Sequence, residues 1–137
     1  MRGREEPPVS SSQDRLRPHP ADRFAGPEHR IDLAGALAKL RAEPGDGKRK
    51  HRQITVFHKG PLRLVLFAFE AGGKLAAHRA PGAIIIQALG GTLLVRTPHE
   101  QHELTAGRIL TLDPDVVHDV EARDEADMLL TIALADA

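Results

Sequence analysis

The chain of 137 residues contains no cysteine, no tryptophan and no tyrosine, and its only aromatics of the phenyl type are Phe24, Phe57, Phe67 and Phe69. Without cysteine there are no disulfides, thiolate nucleophiles, thiolate zinc sites or iron–sulfur clusters, and the redox compartment is left unspecified. Four rings are too few to build the stacking platforms of single-stranded nucleic acid binders. A charge of one sign is missing too: 19 Lys and Arg balance 19 Asp and Glu. No net field steers the chain toward nucleic acid or an anionic membrane. Apolar runs such as Val65 to Phe69 fall far short of the roughly 18 residues of a membrane span. The N-terminus MRGREEPPVS has no apolar stretch of the kind a secretory signal needs. These absences give the expectation of a cytoplasmic protein of one domain, with one core.

Residues 1–30 hold Pro7, Pro8, Pro18, Pro20 and Pro27 and eleven charges of mixed sign. Such a segment does not offset its own ordering entropy, so a disordered or loosely packed tail is expected there, followed by a domain over 31–137. From Ile31 to Glu43 the spacing of Leu33, Ala36, Leu37 and Leu40 predicts a helix, opened by Asp32 and stopped by Pro44 and Gly45. The basic loop that follows, with Lys48, Arg49, Lys50 and Arg52, reads as a solvated turn.

Beyond residue 52, short segments rich in Val, Ile, Leu and Phe recur every 8 to 12 residues between Gly and Pro signals: ITVFHK, LRLVLFAF, KLAAHR, AIIIQAL, TLLVRT, QHEL, RILTL, VVHDVEA and DMLLTIAL. Many short strands without helical pattern between them predict an all-β, antiparallel sandwich or barrel. In LRLVLFAF both faces are apolar, Leu64 and Leu66 on one side and Val65 and Phe67 on the other. A second layer is therefore expected outside the sheet, from the N-terminal helix or from a second subunit.

The stretch Gly73 to Leu134 resembles the cupin family, whose members carry two short motifs. GKLAAHRAPGAIIIQALGG matches the first through Gly73, His78 and Gly91, with Ala80 where a second His stands and Ile84 where a Glu stands. GRILTLDPDVVH matches the second through Gly107, Pro114 and His118, with Asp115 in place of a Gly. The resemblance implies a jelly-roll (double-stranded β-helix) barrel with one short N-terminal helix. It also implies pairing of two copies through their sheets. Of the four metal ligands that it implies, only His78 and His118 are present. Two imidazoles leave the charge of a divalent ion uncompensated in an apolar barrel.

The expectation is thus a small-molecule-binding barrel of unassigned activity and a homodimer, with no nucleic acid or membrane partner. Its pocket would be lined by Ile84, Ile86, Met128, Leu110, Val116 and Leu130, with His78 and His118 as polar handles and Gln87 as a further candidate. The cofactor is either none or a weakly held Mn, Fe, Ni or Zn. The alternative is a metal-dependent enzyme of oxygenase or isomerase type, in which His58 or Gln87 completes a site begun by His78 and His118. Whether the chain is an enzyme is left open. His99 and His102 in TPHEQHEL read as a wet hairpin, and Asp113 and Asp115 as turn residues near the barrel mouth.

Overall fold

The computed structural model describes residues 24–44 and 50–134. One helix, α1 (Leu33–Ala42), precedes nine strands: β1 (His51–Lys59), β2 (Leu62–Phe69), β3 (Lys74–His78), β4 (Ala83–Gly90), β5 (Thr92–Arg96), β6 (Gln101–Thr105), β7 (Ile109–Leu112), β8 (His118–Ala122) and β9 (Ala126–Ala133). They form two antiparallel sheets, in the orders β1-β2-β9-β4-β7 and β3-β8-β5-β6. Each segment foreseen from the Gly and Pro punctuation becomes a strand. Six of the eight connections between consecutive strands pass from one sheet to the other, all but β1–β2 and β5–β6, which is the jelly-roll arrangement. The first strand starts earlier than expected, because His51 and Arg52 extend the ladder opposite Phe69 and Ala68.

Strand alternation decides what fills the barrel. From the five-stranded sheet come Val65, Phe67 and Phe69, Ile84, Ile86 and Ala88, and Ala126 and Met128. From the four-stranded sheet come Leu93, Val95, Leu104, Val120 and Ala122, with Leu75 packed at the edge. The opposite face of β2 is buried as well. Leu66 and Ala68 are closed off from solvent, and α1 lies over β1 and β2 with Leu40 buried. The helix is the second layer that the two-faced strand called for.

Two devices hold α1 there. Asp32 caps it by accepting a hydrogen bond from the Gly35 amide at 3.0 Å. At the other end Arg41 grips the β8–β9 connection, pairing with Asp127 and Glu125 and donating to the Ala126 carbonyl. Of the expected tail, residues 24–30 are described, and two of its rings meet β1. Phe24 is buried against Phe57, His29 meets both rings edge-on, and Lys59 donates to the carbonyls of Ala25 and Gly26. Residues 1–23 and the basic loop 45–49 lie outside the described residues. No helix among those described is long and apolar enough to cross a membrane.

Candidate functional site

The loops sort the barrel into two ends. The β3–β4 and β7–β8 connections bring the end of β3, the start of β4, the end of β7 and the start of β8 to one end. That end therefore carries His78 and His118 on one sheet. On the other it carries the inward row His58, Arg63, Ile132, Ile84 and Leu112, aligned across β1, β2, β9, β4 and β7. The other end is apolar and closed, around Phe69, Ala126, Ala88 and Leu93.

His78 and His118 face one another across the β3–β8 ladder, their ring centroids 4.4 Å apart. Strict alternation would set His78 on the face of Lys74, away from the interior. The register of β3 shifts between Leu75 and His78, and this bulge turns His78 to meet His118. Within the bulge the Ala76 carbonyl accepts a hydrogen bond from His78 Nδ1 at 2.7 Å. The Val116 carbonyl accepts one from His118 Nδ1 at 3.0 Å. A carbonyl can only accept, so each Nδ1 carries a proton, and Nε2 is the nitrogen that offers a lone pair in the neutral form of the ring. The two rings differ in setting, since His118 is 3% exposed and His78 lies open to solvent. Burial holds the His118 pKa below the ordinary imidazole range, with the neighbouring His78 adding to the effect and the Val116 hydrogen bond opposing it.

The turn before β8 fixes this pair. Asp115 stands where the second motif has glycine and adopts φ 69°. That left-handed conformation explains the family's glycine, and Asp tolerates it better than most side chains. From this turn the Asp115 amide donates to the Ala80 carbonyl at 2.8 Å, joining the segment after His78 to the segment before His118.

The other residues read from sequence fall in different places. Ile84, Ile86 and Met128 line the interior, and Leu110 and Leu130 pack against them. Gln87 is on the outer face, paired with Leu129 and Ile109 in regular register, with no bulge to turn it inward. It does not meet the histidines. His58 does reach the inward row, but not in the company of Ile54, which pairs with Leu66 on the outer face. A register break between Thr55 and Phe57 moves His58 across. His102 belongs to β6, opposite Val95 on an inward row, and its ring stands 3.5 Å from the Glu100 carboxylate. His99, Asp113 and Asp115 are exposed.

A divalent metal, which the fold commonly holds, does not fit this donor set. Among the described residues no three His, Asp or Glu side chains converge on one point. Two neutral imidazoles offer neither the third ligand nor the negative charge that such an ion requires.

Sequence reasoning passed over Arg63. It stands on the inward side of β2, in the parity of Val65 and Phe67, opposite His58 and Ile132. The signal was present in LRLVLFAF as a charge interrupting the face that faces the interior.

Solved structures with this fold include an RmlC-like cupin from Desulfovibrio desulfuricans, 26% identical with a TM-score of 0.60, the match covering 69% of this chain and 91% of that one. A conserved Streptococcus pyogenes protein of unknown function is 20% identical with a TM-score of 0.64, covering 80% and 92%. A salicylate 1,2-dioxygenase from Pseudoaminobacter salicylatoxidans is 18% identical with a TM-score of 0.60 over 73% of this chain, but only 32% of the dioxygenase. No curated protein matches the chain in sequence. A family model, the AraC-like ligand binding domain, matches residues 64–132, from β2 through β9 and so across both histidines. With half of its length matched and a cupin barrel throughout, the chain belongs to the AraC-like ligand-binding-domain family.

Proposed function

We propose that the protein binds a small organic molecule at the open end of its barrel, with His78 and His118 as the polar handles and Ile84, Ile86 and Met128 as the apolar wall. The observation that carries this reading is the contact between the two rings, each tied through Nδ1 to a backbone carbonyl. Fixed tautomers present two Nε2 acceptors side by side above an apolar interior. A ligand that donates hydrogen bonds, through a hydroxyl or an amine, matches that pattern, and an apolar cavity with a few convergent polar groups suits a small molecule. A resident metal is no part of the proposal, because the donor set does not supply one.

The test combines thermal-shift screening of small hydroxylated and amino compounds with long-range ¹H–¹⁵N spectra of the imidazoles. A binding compound is expected to move the Nε2 resonances of both rings, and His78→Ala is expected to weaken it at least tenfold, the loss of one good hydrogen bond. Binding that leaves both rings unmoved overturns the reading. Elemental analysis supplies the contrary outcome. Near-stoichiometric Mn, Fe, Ni or Zn that is lost in His78→Ala would establish the metal-dependent alternative.

The proposal includes a homodimer. Past the reach of α1, the outer face of the five-stranded sheet shows a strip without charge: Ile85 and Ile109, 38% and 56% exposed, beside Gln87, Thr111 and Thr131. Absence of charge marks the centre of protein interfaces, and a second copy presents the same neutral strip about a two-fold axis. Sedimentation is expected to show a dimer that Ile109→Arg dissociates. A wild-type monomer at micromolar concentration refutes this part.

A further inference from the structure

Among the described residues, Arg63 is a cation without a partner at the end of the barrel where a ligand would enter. Two of the other half-buried arginines are paired, and the third, Arg52, stands opposite Ala68 on the outer face of the sheet. Arg41 holds Asp127 and Glu125, Arg96 holds Asp119 and Glu121, and the Arg52 Nε is buried without a hydrogen bond. The Arg63 guanidinium makes neither an ion pair nor a hydrogen bond among the described residues, and its nitrogens keep their access to solvent. Its strand position is fixed on both sides, His58 across one ladder and Ile132 across the other. That row belongs to the histidine end, on the sheet that faces the His78–His118 pair. Of the described acidic groups at this end, Glu100 lies beside His102, and Asp113 and Asp115 are exposed in their turn. No carboxylate among the described residues claims Arg63.

We infer that Arg63 is the anion anchor of the binding site, so that the ligand is a small hydroxy or amino acid. This rests on the small-molecule reading above and gives it a chemical class. The carboxylate would take the planar fork of the guanidinium, which matches two oxygens at once. The hydroxyl or amine would donate to the Nε2 lone pairs of the histidines. The hydrocarbon portion would lie against Ile84 and Ile132. The two chemistries are complementary, because neutral imidazoles alone give a carboxylate nothing to bind and a guanidinium alone cannot accept from a hydroxyl.

Calorimetric titration of the full chain tests this with four probes: mandelate, salicylate and their neutral amides, mandelamide and salicylamide. Binding of at least one acid, tenfold or more tighter than its amide, is expected. Arg63→Gln is expected to lose about tenfold to a hundredfold in affinity for the acid and to leave amide binding unchanged. Arg63→Lys, which keeps the charge without the fork, should fall between. Equal binding of acid and amide, or an Arg63→Gln variant that melts like wild type and binds the acid unchanged, overturns the anchor while leaving the histidine site standing. Failure of all four compounds to bind overturns the acid class. Acid binding that needs Arg63 and ignores His78→Ala overturns the histidine handles instead.

Discussion

Lowering the pH from 8 to 5 should destabilise the protein through His118, and the sign follows from its surroundings. Its ring is enclosed at the barrel mouth, faces the ring of His78 at 4.4 Å, and keeps only the Val116 carbonyl and the adjacent Asp119 as influences favouring charge. Burial dominates, so the folded-state pKa lies below the 6.5 of an unfolded chain. Above 6.5 both states are neutral and the full stability is present. As the pH falls below 6.5, the unfolded state takes up a proton that the native state refuses, and stability declines until the pH passes the folded pKa. One group gives a slope of at most about 1.4 kcal/mol per pH unit within that window. Urea unfolding at half-unit pH steps, for wild type and His118→Gln, isolates this contribution because the remaining histidines are common to both. The difference between the two curves should be flat above pH 7 and should narrow in acid, as wild type loses an advantage that the variant never had. Parallel curves, or a wild type that gains on the variant in acid, would refute the claim that the ring is buried neutral.

Leu66→Ala empties a fully buried site between β2 and α1 and should cost about 2–5 kcal/mol in urea unfolding. A cost below 1 kcal/mol would mean that the helix is not the cover described. Gly91 holds φ 72° in the β4–β5 turn, where a methyl would collide with the Glu125 carbonyl and the Ala126 Cα. Gly91→Ala should therefore destabilise by more than about 1 kcal/mol, read as a lower denaturation midpoint. Asp115→Gly should be neutral or mildly stabilising in the same assay, since it relieves the left-handed backbone without removing the amide that reaches Ala80.

The strands were legible because most are short apolar runs closed by Gly or Pro, or by the charged run Arg123 to Glu125, and the helix because Leu33, Leu37 and Leu40 recur at its period. The pairing of His78 with His118 was legible only as order along a known pattern. Its geometry depends on a bulge of one residue in β3, and a bulge leaves no mark on an alternating sequence such as KLAAHR. The same blindness applies to β1. There the register break between Thr55 and Phe57 puts His58 on the opposite face from Ile54, where plain alternation would keep the two on one side. Gln87 is the converse case. A polar residue among aliphatics made it a candidate, but the ladder runs regularly through it and points it outward. Phe24 gave no signal, being one apolar residue in a stretch otherwise fit for solvent, and its burial depends on Phe57, 33 residues further along the chain.

The hydrogen bond from Asp115 to Ala80 has a mechanical consequence. It spans the gap between the two segments that carry the imidazoles, a cross-tie independent of the sheet ladder. Whatever loosens the rim at this point must carry both rings along, so an arriving guest meets a single stiff jaw. Selectivity would then reside in how the opposite wall yields, where β1 is the outermost strand of its sheet among the described residues.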